Sequence, residues 1–310
     1  MRRYRFLQLD VFTERAFCGN PLAVFPEGEG LSADQMQQIA REMNLSETVF
    51  VLRSQDVRAL RRLRIFTPVR ELPMAGHPVV GTWNALAREG IVPVPEGGNG
   101  TSRIMHEIGI GVLPVEIEFE DGQPVKVMMT QGRFEVRAEV KDAGERTEIA
   151  RGLGLAVEDL DDSLPIQTVS TGIAALAVPV RSLGVLGKCR IDAAALSQAY
   201  RRAGAMSVYV FTRETKDGGA ARVHARLFAP DDNIPEDPAT GSAAGSLSGY
   251  LVHHGAIETV DGTARFIVEQ GDFINRPSRI SVEVKGGHRN VEQVRVGGPS
   301  VVVATGEMIF

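Results

Sequence analysis

A ten-residue segment, Arg64-Ile-Phe-Thr-Pro-Val-Arg-Glu-Leu-Pro73, returns as Arg226-Leu-Phe-Ala-Pro-Asp-Asp-Asn-Ile-Pro235 at a constant offset of 162. Each copy is followed by a glycine and a polar residue opening a small-residue apolar stretch. These are Gly76-His77-Pro78 in the first copy and Gly241-Ser242-Ala243 in the second, now at an offset of 165. Three residues have therefore entered the second copy, and the simplest alignment places Glu236-Asp237-Pro238 in that insertion. A chain that repeats itself in this way folds as two like halves. The chemistry is sought where the copies differ.

The surrounding pattern supports the repeat. Residues 32–42 and 192–202 read as amphipathic helices, with Ser32 a good N-cap for the first. Leu22-Ala-Val24 matches Leu176-Ala-Val178, and the β-rich stretch Glu47–Val51 matches Ser207–Phe211. After each repeat comes a helix apolar on nearly all sides, 78–88 and 241–253, closed by Gly90 and Gly255. A helix of that kind is normally buried. Short strands far outnumber helices, which argues against a doubly wound parallel sheet. The expected class is α+β: two pseudo-symmetric domains, each a curved, mostly antiparallel, barrel-like sheet around one buried helix, with an amphipathic helix outside. The boundary is placed near residue 128, giving halves 1–128 and 129–310, with the last strand free to cross back to the first.

Composition narrows the function. A net charge of −5 gives no basic surface for nucleic acid. Arg61, Arg62 and Arg64 alternate with apolar residues and read as a solvated strand face. No apolar run reaches the ~20 residues that span a bilayer, and the N-terminus lacks a signal-peptide pattern. The two cysteines, Cys18 and Cys189, form no paired motif and suit a reducing cytoplasm. The histidines lack metal-ligand spacing, so no metal site is expected. Gly109-Ile-Gly111 lacks the third glycine of a dinucleotide loop.

The starts of the two buried helices invite an anion. Their first-turn amides are unpaired and lie at the positive end of the helix dipole, and Gly76 and Gly241 allow close approach to the backbone. These glycines can equally serve only tight turns. Near them stand Glu47, His77, Asp237 and Ser242. Singly they read as a strand-end glutamate, a helix cap, a turn aspartate and a first-turn hydroxyl. Together they form a set able to take a proton from one carbon and return it to another.

These motifs resemble the PhzF-like phenazine biosynthesis protein family, of the diaminopimelate epimerase-like fold. The resemblance runs from Asp10-Val-Phe-Thr and Phe17-Cys-Gly-Asn-Pro-Leu-Ala-Val24, through Met43-Asn-Leu-Ser-Glu-Thr-Val-Phe50, to Glu71-Leu-Pro-Met-Ala-Gly-His-Pro78 and Glu236-Asp-Pro-Ala-Thr-Gly-Ser-Ala243. It implies a cofactor-free isomerase, commonly homodimeric, that shifts a proton within a small carboxylic acid bound in an interdomain cleft. It implies Glu47 as general acid/base, with His77, Asp237 and Ser242 orienting substrate or relaying the proton. Amides at Gly76 and Gly241 would hold the carboxylate, with Ser46 and Asn20 as further binding candidates. Related racemases use two cysteines at the helix starts, where this chain has Ala75-Gly76 and Thr240-Gly241. The alternatives are an amino-acid racemase or epimerase using Glu47 and Asp237 as opposed bases, and a non-catalytic binding protein with the same cleft. A glutamate that both gives and takes a proton near neutral pH must be desolvated or stand near negative charge.

Overall fold

The computed structural model describes all 310 residues, which fall into two compact units: Met1–Thr130 with Gly297–Phe310, and Gln131–Val296. In the first unit the order is β1 (Arg3–Val11), β2 (Asn20–Phe25), α1 (Ala33–Met43), β3 (Glu47–Leu52), β4 (Arg62–Phe66), β5 (Glu71–Leu72), α2 (Gly76–Arg88), β6 (Gly100–Ile108), β7 (Gly111–Glu120) and β8 (Gln123–Thr130). The second continues with β9 (Glu135–Glu139), α3 (Ala143–Gly152), β10 (Gln167–Ser170), β11 (Ala174–Pro179), α4 (Leu183–Lys188), α5 (Ala193–Arg202), β12 (Ser207–Thr212), β13 (Ala221–Ala229) and β14 (Ile234–Asp237). It closes with α6 (Gly241–His253), β15 (Thr263–Gln270), β16 (Ser278–Gly287) and β17 (Asn290–Gly298), before β18 (Ser300–Ile309). Strand β18 pairs antiparallel with β1, so the chain's last strand belongs to the first unit.

Most pairings are antiparallel. Four pairs run parallel: β4 with β6, β13 with β15, and β2 with β3 and β11 with β12, the last two each joined by a crossover that contains an amphipathic helix, α1 or α5. Helix α1 starts as the sequence predicts. Ser32 accepts from the Gln35 amide while the Gln35 side chain accepts from the Ser32 amide, a reciprocal cap. Its apolar face (Met36, Ile39, Ala40) packs on Phe25, Phe50 and Phe66. Helix α2 has every residue from Gly76 to Ala87 buried and touches β1, β2, β3, β7, β8 and β18, so the first sheet wraps around it. Contact is close enough that a Cβ at Gly81 would lie 2.6 Å from side-chain carbons of both Leu22 and Val11. Helix α6 is buried from Gly241 to Val252 and packs on β10, β11 and β16 of the second unit.

Three sequence expectations need correction. The second half carries two helices beyond the expected pair, α3 and α4. Helix α2 begins at Gly76, so His77 lies inside its first turn and is not its cap; the N-cap is Ala75, with no side-chain bond. The insertion also sits elsewhere. Arg64 forms a two-pronged ion pair with Glu71, and Arg226 forms the matching pair with Glu236. Likewise Ile65 faces Leu72 across β4 and β5, and Leu227 faces Asp237 across β13 and β14. The first members of these pairs differ by 162 in number and the second members by 165. The three extra residues therefore lie in the turn between Phe228 and Glu236, which contains the 3₁₀ segment Pro230–Asp232. Asp237 is the counterpart of Leu72, a replacement and not an insertion.

Candidate active site

In the first unit the chain brings Glu47 and His77 together. Glu47 opens β3, where its neighbour in the parallel ladder is Leu22 of β2. His77, in the first turn of α2, is buried beneath that edge. The His77 Nε2 atom is 3.2 Å from Glu47 Oε2, with the glutamate side chain only 15% exposed. The solvated strand-end glutamate is thereby excluded. Burial drives the imidazole pKa down from 6.5 to about 3, against an opposing hydrogen bond with the Pro21 backbone. His77 is thus neutral near neutral pH. Its ring hydrogen serves the Pro21 carbonyl, which leaves Nε2 as a lone pair facing the carboxyl group.

The loop before β2 sets Pro21 in place. Asp10, itself buried, accepts the Phe17 amide hydrogen at 2.6 Å. Phe12, Phe17 and Gly19 all take positive φ, and a Cβ at Gly19 would lie 2.2 Å from the Val11 carbonyl oxygen. This tight loop delivers the fully buried Asn20 and then Pro21 beside His77. Ser46 directly precedes the strand that carries Glu47.

In the second unit Asp237 ends β14, Thr240 is the N-cap of α6, and Gly241 and Ser242 form the helix's first turn. Asp237 and Ser242 are both buried. The Thr240 hydroxyl donates to Asp237 Oδ2. The Ser242 carbonyl accepts from the Ser246 hydroxyl at 2.9 Å and from Thr171 at 3.4 Å. Three residues that sequence reasoning did not single out organise this turn: Thr240, Gln270 and Tyr209. Gln270 donates to the Asp237 carbonyl at 2.7 Å and accepts from the Thr240 amide at 3.1 Å. Tyr209 donates to the same glutamine at 2.8 Å. Gln270 lies 33 positions beyond Asp237, and no local pattern in the sequence ties the two.

Both glycines, Gly76 and Gly241, stand at the first position of a buried helix whose N-cap makes no side-chain bond to the first-turn amides. Those amides point outward at the positive end of a 13-residue helix, the geometry that receives a carboxylate. The N-cap positions themselves are Ala75 and Thr240, neither a thiol.

The phenazine biosynthesis-like protein family (PhzC-PhzF) matches residues 9–306. The chain belongs to that family. It is 35% identical to an uncharacterized isomerase of Clostridium acetobutylicum, over 100% of this chain and 99% of the other. It is 34% identical to the trans-2,3-dihydro-3-hydroxyanthranilate isomerase of Pseudomonas aeruginosa, over 98% of each. Among solved structures, the PhzF-family phenazine biosynthesis protein of Bacillus anthracis superposes with a TM-score of 0.87 at 30% identity over the whole of both chains. A probable proline racemase of Agrobacterium radiobacter shares the fold, at a TM-score of 0.64 and 14% identity. The protein is an isomerase of the PhzF family, with the sheet-dominated α+β fold of the epimerase-like group. No helix is long and apolar enough to cross a membrane.

Proposed function

We propose that this isomerase moves a proton between two carbons of a small carboxylic acid, with Glu47 as the group that carries it. The observation that supports this most directly is the buried Glu47–His77 contact at 3.2 Å. A neutral imidazole offers its lone pair to the glutamic acid O–H, and the same carboxyl without its proton is a base. The step balances within the substrate. Glu47 takes hydrogen from one carbon, the C–H pair enters the adjacent π system, and the double bond shifts. The proton then returns to the far carbon. Asp237 and Ser242 orient the substrate, while amides at Gly76 and Gly241 receive its carboxylate and Ser46 and Asn20 line the approach. The absence of thiols at the helix starts favours this over a two-cysteine racemase. The same reading has the enzyme work as a cytoplasmic homodimer on a free metabolite.

The first compound to test is trans-2,3-dihydro-3-hydroxyanthranilate, the substrate in the name of the Pseudomonas relative, followed by a panel of small unsaturated and hydroxylated acids. In deuterium oxide the product should carry deuterium at the carbon that gains hydrogen. Glu47→Gln should reduce turnover by about 10²–10⁴, the range of a positioned acid–base group, with the fold intact. Turnover within threefold of wild type would remove Glu47 from the reaction.

A further inference from the structure

Behind Asp237 lies a hydrogen-bond chain whose direction is fixed by the backbone. Gln270, the last residue of β15, is fully buried. Its Nε2 is 2.7 Å from the Asp237 carbonyl oxygen, and its Oε1 is 3.1 Å from the Thr240 amide nitrogen. A carbonyl only accepts and a backbone amide only donates. Turning the Gln270 amide over would set acceptor against acceptor and donor against donor, so the backbone permits one orientation. The remaining valences follow. The second Nε2 hydrogen goes to Thr240 Oγ1 at 3.1 Å, and the second Oε1 lone pair accepts the Tyr209 hydroxyl at 2.8 Å. Thr240 Oγ1, already receiving from Gln270, sends its one hydrogen to Asp237 Oδ2. That oxygen is therefore an acceptor in this bond. Burial, and then the negative charge of Asp237, push the Tyr209 pKa well above 10, so the phenol stays a donor at the head of the chain.

We propose that Gln270 is a positioning residue: through Thr240 it keeps Asp237 Oδ2 an unprotonated acceptor, so that Asp237 meets the substrate with that oxygen fixed as an acceptor. This rests on the reading of Asp237 as a site residue and sharpens it. Glu47 and Asp237 are the pair that a two-base racemase reaction would need, and the wiring of Gln270 removes one of them from proton transfer at that oxygen.

Neutron diffraction from crystals of the full chain grown in deuterium oxide reads the wiring directly. The expected map has one Nε2 deuteron on the Asp237 carbonyl, the other on Thr240 Oγ1, and the threonine deuteron aimed at Asp237 Oδ2. A deuteron on Oδ2, or a Gln270 deuteron aimed elsewhere, overturns the proposal. Gln270→Glu replaces the donor with a second acceptor. The threonine hydrogen should then turn to the new carboxylate and a deuteron should appear on Asp237 Oδ2. In solution the same variant should gain a protonated-carboxyl infrared band at pH 7 that disappears when Asp237→Asn is added. A glutamine that served packing alone would leave the threonine deuteron where it was. If Gln270→Glu does not fold, the wild-type map alone decides the question. Neither readout depends on turnover, so an unaffected Glu47→Gln enzyme would sink the proposed reaction and leave this wiring standing.

Discussion

The burial of His77 makes a quantitative demand on acid stability. Its pKa falls from 6.5 in the unfolded chain to about 3 in the folded one, desolvation being the larger cause. Between those values the unfolded state binds a proton that the folded state refuses. Stability from this group is therefore complete above pH 6.5 and is lost as pH falls toward 3. Each pH unit in that window costs about 1.4 kcal/mol, so at pH 4.5 His77 alone removes roughly 3 kcal/mol. The assay is urea unfolding followed by fluorescence of Trp83, the single tryptophan, which is buried in the same unit. Wild type and His77→Gln are compared at pH 7 and pH 4.5. The variant has no proton to refuse and should lose about 3 kcal/mol less than wild type over that interval. Equal losses, or an imidazole NMR titration of His77 near 6.5, would refute the argument. They would also remove the neutral lone pair that the proposed Glu47 chemistry uses.

Other expectations are as specific. His106 is fully buried, takes the Trp83 indole hydrogen at 3.1 Å on Nδ1, and is pushed by burial down to about 4. His106→Gln should therefore flatten the stability loss between pH 6.5 and 4 by about 1.4 kcal/mol per pH unit, read by the same unfolding series. Gly81→Ala should destabilise by about 1–2 kcal/mol. The new methyl meets Leu22 and Val11 at 2.6 Å, an overpacking cost that exceeds the alanine's helix gain.

Much of the fold could be read because the chain states it twice. The two all-apolar helices, the Ser32 cap and the strand between each pair of helices were legible from residue type and spacing alone. Helix α3 escaped because only Ile149, Ala150 and Gly152 of its ten residues are buried, which leaves little apolar period to detect. The insertion was misplaced because Asn233 falls opposite Glu71 at a fixed offset. Only the ion pairs, Arg64 with Glu71 and Arg226 with Glu236, reveal the true correspondence. Glu47 and His77 stood out by motif, but their mutual approach across 30 residues of chain did not. Gln270 and Tyr209 could not be found at all from sequence, since their role comes from strands that meet Asp237 only in the folded unit.

The duplicated ion pair also gives a test of how burial, rather than chemistry, sets the worth of a contact. Arg64 and Glu71 are 19% and 41% exposed, whereas Arg226 and Glu236 are 6% and 11% exposed. The two pairs have the same fork geometry and the same place in the repeat. Arg226 additionally donates to the carbonyls of Leu186 at 2.9 Å and Cys189 at 3.2 Å. Removing it strands a buried carboxylate and two carbonyls, a loss of about 3–5 kcal/mol for Arg226→Met. Arg64→Met removes a water-screened pair and should cost about 1 kcal/mol or less. Chemical denaturation of the two variants gives the comparison. Glu236 directly precedes Asp237, so the Arg226 variant should also loosen the turn that begins α6, visible as faster amide exchange at Thr240. If the two substitutions cost the same, the buried copy owes nothing to its desolvation, and the rigidity of the Asp237 turn must come from Gln270 alone.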